Sequence, residues 1–124
     1  MAFTILIADD HAQFRALLST VFQRAGLSPR EAADGVSALA AFEAEPCDLV
    51  LMDQSMPGMT GVDAAKALRA RSSTVRIALI SGHRSIALTH EAKAAGVDLV
   101  LTKPVSPRAL MQAINALMQA GRAA

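Results

Sequence analysis

Residues 48–61 read DLVLMDQSMPGMTG, and this stretch decides the fold. Its apolar residues 49–52 run without a break and stop at Asp53, after which a proline and two glycines follow. A short apolar run closed by turn residues predicts a strand that is buried on both faces. Because ligands bind at the carboxyl ends of the strands in open α/β sheets, Asp53 lies where a functional site is expected.

The rest of the chain repeats this pattern of an apolar run followed by a helical segment. Hydrophobic periodicity and turn residues predict strands at 3–8, 27–33, 48–53, 75–80 and 98–102. The same signals predict helices at 14–25, 35–45, 62–71, 85–95 and 107–120, the last closed by Gly121 and followed by a frayed tail. Pro29 marks 27–33 as an edge strand. Strict alternation predicts an α/β fold, a doubly wound (βα)5 domain with a five-stranded parallel sheet.

Length and composition bound the class of protein. The 124 residues are the size of one domain, which we assign to residues 1–124. A formal net charge of +1 gives no electrostatic reason for a nucleic-acid partner, so we expect no direct DNA binding. The one cysteine, Cys47, cannot form an internal disulfide and is expected to be a small buried hydrophobe. With neither a signal peptide nor an apolar run of membrane-spanning length, we expect a cytoplasmic protein without membrane contact.

The strongly apolar strands all end in residues that can carry chemistry. The first is followed by Asp9 and Asp10, and the others end at Asp53, Ser81 and Lys103. Each has a structural explanation: the acid pair could cap a helix, the serine could belong to a turn, and the lysine could be solvated. Because the carboxyl ends of parallel strands meet at one edge of a sheet, their joint presence favours a single site.

A site with three carboxylates needs positive charge. Neighbouring acids repel one another, and some would be protonated near neutral pH unless a cation joined them. Mg²⁺ prefers oxygen ligands and often bridges carboxylates to a phosphate. An acid, a metal ion, a lysine and a hydroxyl together are suited to hold a phosphoryl group, which a carboxylate can accept.

At this point the sequence resembles the receiver domains of bacterial response regulators, over essentially the whole chain. Four motifs carry the resemblance: IADD at 7–10, MDQSMPG at 52–58, Ser81-Gly82 and TKP at 102–104. The resemblance implies the flavodoxin-like strand order 2-1-3-4-5. It also implies a two-component signalling protein, which accepts phosphate from a histidine kinase or a phosphotransfer protein and is not a turnover enzyme.

The resemblance also implies roles for the acids and their neighbours. Asp53 would be the phosphoacceptor and would form an aspartyl phosphate. Asp10 and Asp53 would ligate Mg²⁺ together with the backbone carbonyl of Ser55, while Asp9 would act through water. Lys103 would contact the phosphoryl group.

The output side is implied in the same way. Ser81 would hydrogen-bond the phosphoryl group and pull its loop inward, and the face of the fourth helix, fifth strand and fifth helix would control a protein partner that the sequence does not identify. Receivers often carry an aromatic residue at the position of Val100, so the signal is expected to travel through 81–83 and a shift of helix 85–95. We also expect a cis bond between Lys103 and Pro104, and a monomer or weak dimer.

Three alternatives stay open at this stage. The chain could be a phosphate sink that passes no signal on, or a receiver from a hybrid kinase or longer regulator. It could also be a small phosphatase with an aspartate nucleophile, although such enzymes usually place that aspartate after the first strand and carry a cap domain.

Overall fold

A computed structural model describes residues 3–83 and 85–120. The strands are β1 (Thr4–Ala8), β2 (Ser28–Ala32), β3 (Leu49–Asp53), β4 (Arg76–Ser81) and β5 (Leu99–Thr102). The helices are α1 (Ala12–Arg24), α2 (Gly35–Ala44), α3 (Gly61–Arg71), α4 (Ile86–Ala94) and α5 (Pro107–Ala120). All ten predicted elements are present, with ends that differ from the prediction by one or two residues. Gly121 as a helix end and the frayed tail lie outside the described residues.

The five strands form one parallel sheet in the order β2-β1-β3-β4-β5, as expected. β2 lies at the edge, where Pro29 pairs with Ile5 without interrupting a central strand. β1 has β2 on one side and β3 on the other, so the chain reverses its direction across the sheet at this point. Such a reversal opens a crevice at the carboxyl ends of the two strands.

Two apolar layers cover the faces of the sheet. One layer packs α2, α3 and α4 against it through residues such as Phe42, Leu68 and Ala92. The other packs α1 and α5 through residues such as Phe22 and Ile114. β3 contributes to both layers and is buried along its whole length, which explains its unbroken apolar run.

The helices begin at side-chain caps. Asp34 accepts a hydrogen bond from the Ser37 N–H at 2.7 Å, and Ser106 accepts one from the Ala109 N–H at 3.0 Å. α1 is capped by His11, whose Nδ1 accepts from the Phe14 N–H at 3.2 Å. The acid pair before His11 is therefore not the cap of this helix. Both acids remain available for a site at the carboxyl edge of the sheet.

Two further predictions concern Cys47 and Pro104. Cys47 is half-buried, and burial raises the pKa of its thiol, as fits a small packed hydrophobe. The bond between Lys103 and Pro104 is cis, as expected. Within 3–83 and 85–120, no helix combines the length and the apolar character needed to cross a membrane.

Candidate functional site

Three carboxylates meet at the carboxyl edge of the sheet. Asp9 directly follows β1, Asp53 ends β3, and the two strands pair in register with Ala8 opposite Met52. This register places Asp9 and Asp53 beside each other, with 3% and 8% of their surface exposed. One carboxylate oxygen from each of Asp9, Asp10 and Asp53 lies within 4.8 Å of the others. The sheet thus brings together the acids that the sequence placed at separate strand ends.

Lys103 extends from the end of β5 into the same cluster. Its Nζ lies 3.0 Å from Asp53 Oδ2 and 4.0 Å from Asp9 Oδ2. Its backbone N–H donates to the Ser81 carbonyl at 2.8 Å, which continues the pairing of β4 and β5 beyond the strands. The lysine side chain is 33% exposed, so one side of the site remains open to solvent.

Burial makes the negative charge of Asp9 costly. Burial is the main reason that its pKa is raised, and the nearby charges of Asp53 and Asp10 raise it further. Two interactions oppose this rise, the hydrogen bond from the His11 N–H at 2.8 Å and the charge of Lys103. A carboxylate that is costly to ionise is one that an added cation would stabilise.

These residues fit a hard divalent cation. The cluster offers carboxylate oxygens only, which are the ligands that Mg²⁺ prefers. Asp10 is exposed while the other two acids are buried, so the site can be reached from solvent. The donor set and the raised pKa of Asp9 therefore agree with the magnesium site implied by the sequence.

The loop after β3 fixes the position of Asp53. The Ser55 N–H donates to Asp53 Oδ1 at 3.3 Å, and the Gln54 N–H donates to the Ile80 carbonyl at 2.8 Å. Gln54 also accepts from the first turn of α3, through its carbonyl from the Gly61 N–H and through Oε1 from the Val62 N–H, both at 3.0 Å. Gln54, the residue next to Asp53, is thus bonded to both β4 and α3.

Ser81, the predicted hydroxyl of the site, is buried and bonded within its own loop. Its Oγ donates to the His83 carbonyl at 2.9 Å and accepts from the His83 N–H at 3.1 Å. The hydroxyl at the end of β4 is therefore linked directly to the segment that leads to α4. A movement of Ser81 would have to move or release the His83 peptide.

Sequence reasoning missed three residues at the start of α1. His11 is exposed and serves as the cap of the helix. The Arg15 guanidinium donates to the Asp9 carbonyl at 2.6 Å and pairs with Glu31 at 3.1 Å. Phe14 places its ring centroid 5.1 Å from Lys103 Nζ. Phe14 begins the helix predicted at 14–25, and its position four residues after Asp10 is the one sequence signal that points to the site.

The fold and the site define a flavodoxin-like domain with an acidic pocket and a lysine at the carboxyl edge of its sheet. The chain matches the response regulator receiver domain family over residues 5–115. It belongs to this family and is a receiver domain of a two-component response regulator. Receiver domains are signalling domains that bind Mg²⁺ in an acidic pocket and are phosphorylated by histidine kinases or phosphotransfer proteins.

Similar proteins include regulators of different length. The chain is 36% identical to the sensory transduction protein RegX3 of Mycolicibacterium smegmatis, over 95% of this chain and 51% of RegX3. It is 33% identical to the sporulation initiation phosphotransferase F of Bacillus subtilis, over 81% of each chain. The chain therefore spans about half the length of the first of these relatives and most of the second.

A similar solved structure is that of the chemotaxis protein CheY4 of Vibrio cholerae. It superposes with a TM-score of 0.91 and 31% sequence identity, over 94% of this chain and 99% of that chain. The similarity extends over nearly the whole of both chains, so the fold of this chain agrees with that of the solved chemotaxis protein.

Proposed function

We propose that this chain is a single-domain response regulator in which Asp53 accepts a phosphoryl group. The donor is the phosphohistidine of a histidine kinase or of a phosphotransfer protein. Phosphorylation shifts residues 81–95 and the face of α4, β5 and α5, and this face controls a protein partner. The observation that supports the proposal best is the cluster of three carboxylates with Lys103 Nζ 3.0 Å from Asp53.

Asp53 is the acid best placed to act as the nucleophile. It is held by β3, by the Ser55 N–H and by Lys103, so one carboxylate is fixed where a donor can approach from the open side. An oxygen of Asp53 forms a bond to phosphorus as the bond between phosphorus and the donor nitrogen breaks. The electron pair of that bond leaves with the imidazole, and the product is an acyl phosphate.

The other residues neutralise charge around the transferred group. Asp10, Asp53 and the Ser55 carbonyl would hold Mg²⁺, with Asp9 acting through water. Bound there, Mg²⁺ would offset the negative charge of the phosphoryl oxygens. Lys103 already contacts the Asp53 carboxylate. After transfer its ammonium would contact the phosphoryl oxygens and stabilise their negative charge.

Ser81 provides the link between the site and the output face. Its hydroxyl is bonded to the His83 peptide, and Ser85 two residues further caps α4 by accepting from the Leu88 N–H at 3.0 Å. A Ser81 hydroxyl that turns to the phosphoryl group gives up its bond to the His83 carbonyl. The start of α4 then loses one of its attachments and can move.

Phosphorylation of purified protein by acetyl phosphate tests the proposal. We expect one phosphoryl group per chain by intact-mass spectrometry with Mg²⁺, and none after addition of EDTA. Asp53→Asn should take up no phosphoryl group, because the nucleophilic carboxylate is gone. Asp63→Asn is the matched control, since Asp63 is an exposed acid on α3, away from the cluster.

Two outcomes would contradict the proposal. If Asp53→Asn is labelled as fully as the wild type, another residue is the acceptor. Steady hydrolysis of added phosphomonoesters would favour a phosphatase instead of a receiver. If Asp53 is the acceptor, transfer from a panel of purified phosphorylated histidine kinases would identify the donor.

A further inference from the structure

Lys103 lies between the acids on one side and an aromatic ring on the other. Its Nζ is 3.0 Å from Asp53 Oδ2 and 5.1 Å from the centroid of the Phe14 ring, over the face of that ring. We infer that Phe14 is a positioning residue that holds the Lys103 ammonium toward Asp53 through a cation–π contact. This inference rests on the proposed function and assigns a further residue to the same site.

The ring is a fixed partner for a long side chain. The Phe14 N–H is bonded to His11 Nδ1, so its backbone is held by the cap of α1. Its ring is half-buried and packs against the apolar layer under α1 and α5, as Leu101 and Val105 also do. Phe14 has few alternatives to this position, whereas a lysine on four methylene groups has many rotamers and loses entropy when it is ordered.

The geometry leaves the donors of the lysine available. An ammonium is attracted to a ring face by the charge distribution of the whole ring, so the contact does not require one N–H to point at one atom. The three N–H groups of Lys103 can therefore remain directed at the carboxylates, or later at phosphoryl oxygens, while the ring holds the nitrogen in place.

An open cavity beside the ring leaves space for other rotamers of the Lys103 side chain. This cavity has a volume of about 530 Å³ and is lined by His11, Phe14, Lys103, Pro104 and Val105. Without the aromatic ring the ammonium would lose a favourable contact and gain solvated rotamers in this space. Fewer molecules would then have Lys103 on Asp53 when a phosphodonor arrives.

Two variants of Phe14 test the inference. Phe14→Leu keeps an apolar side chain without a ring, and Phe14→Tyr keeps the ring. With acetyl phosphate and saturating Mg²⁺, we expect Phe14→Leu to lower the rate of phosphorylation about threefold to tenfold, the range of a partly exposed cation–π contact. Phe14→Tyr should stay within about twofold of the wild type, by the same interaction.

A second genetic background separates positioning from general packing. If Phe14 acts through Lys103, Phe14→Leu should cause no further loss of rate in the Lys103→Met background. A loss of the same size in both backgrounds would overturn the inference. Phe22→Leu is the matched control, because Phe22 is a fully buried residue of the same helix and belongs to the core below the sheet. It should lower stability and leave the rate nearly unchanged.

Proton NMR provides a readout that needs no phosphodonor. Methylene protons next to a nitrogen held over a ring face are shifted upfield, so we expect this shift for the Lys103 ε-methylene in the wild type. The shift should persist in Phe14→Tyr and disappear in Phe14→Leu. Ordinary resonance positions in the wild type would refute the contact. A wild type that shows the shift but accepts no phosphoryl group would support the contact and refute the proposed function.

Discussion

Two halves of the same sheet edge are built very differently. The acceptor half consists of β3, the loop at 54–60 and α3, and the response half consists of residues 81–83, α4 and β5. Every residue of β3 and five residues of α3 are buried. In the response half, all four residues of β5 are half-exposed and α4 buries only Ala92. The group that must be held thus lies on the well-packed side.

The difference between the halves explains how one domain can be both rigid and responsive. Apolar burial contributes roughly 25 cal/mol per Å², so a helix with five buried residues is much harder to displace than one with a single buried residue. Segments with few buried contacts open at low free-energy cost. We therefore expect a small change at Asp53 to move α4 while α3 and β3 stay in place.

The largest expected effect comes from truncating a core residue in each half. Leu51→Ala in β3 should lower the free energy of unfolding by about 2–5 kcal/mol, because Leu51 is 1% exposed and its removal leaves a cavity. Leu88→Ala in α4 should cost about 1 kcal/mol, since Leu88 is half-exposed. Urea unfolding followed by circular dichroism measures both, and equal losses would contradict the comparison.

Two glycines, Gly61 in the acceptor half and Gly82 in the response half, test the same difference in packing close to the backbone. A Cβ on Gly61 would meet a methyl carbon of Leu79 and come within 2.8 Å of the Asp53 carbonyl. Gly61→Ala should therefore cost about 1–3 kcal/mol through overpacking. A Cβ on Gly82 meets nothing within 4 Å. Gly82→Ala should be neutral or stabilise by up to about 1 kcal/mol through the unfolded state.

The two glycine variants are measured by the same urea unfolding experiment. Phosphorylation of Gly61→Ala by acetyl phosphate reports in addition whether the Asp53 carbonyl has moved. The comparison of the two halves fails if Gly82→Ala costs as much as Gly61→Ala.

A smaller effect, a shift of the response half, is expected when a phosphoryl mimic binds at the site. With Mg²⁺ and beryllofluoride, amide chemical shifts should change at residues 81–83 and throughout α4, because Ser81 is bonded to the His83 peptide and α4 is thinly packed. Amides of α3 beyond its first turn should change little. Changes confined to the immediate neighbours of Asp53 would favour the phosphate sink and contradict our proposal.

The smallest expected effect is a pH dependence that distinguishes the cap of α2, which borders the acceptor half, from the cap of α4 in the response half. Asp34 caps α2, and Gly35 next to it lies close enough to Met59 of the acceptor loop that an added Cβ would come 2.9 Å from Met59 Sδ. Hydrogen bonds from the Ser37 N–H and hydroxyl lower the pKa of Asp34 below its ordinary value of 3.8. Its contribution to stability is thus fully present above pH 3.8 and is lost as the pH falls through the folded-state pKa.

Asp34→Asn should remove this part of the pH dependence while keeping a cap oxygen. Ser85, the cap of α4, carries no charge, so Ser85→Ala should cost about 1 kcal/mol with the pH profile of the wild type. The free energy of unfolding of each variant is measured between about pH 3 and 5, the range in which carboxyl groups titrate. An Asp34→Asn profile parallel to that of the wild type would disprove this role.

Local sequence signals predicted the elements and their order. The unbroken apolar run at 49–52 specified a strand buried on both faces, and Pro29 specified an edge strand, because each follows from the backbone chemistry of a few neighbouring residues. Asp34 and Ser106 were predictable as caps for the same reason. The acids after the first and third strands were predictable as one site, because parallel strands bring their carboxyl ends to one edge.

The tertiary structure alone decided how the site residues contact one another. Lys103 and Asp53 are 50 positions apart, and their 3.0 Å contact depends on the order and register of β3, β4 and β5. The ring of Phe14 beside Lys103 depends on how α1 packs against α5 and the residues that follow β5. The strand-end residues determined which chemistry is possible in this protein, because local patterns fix the elements. Which side chains meet was decided only by packing between distant segments, which leaves no local pattern in the sequence.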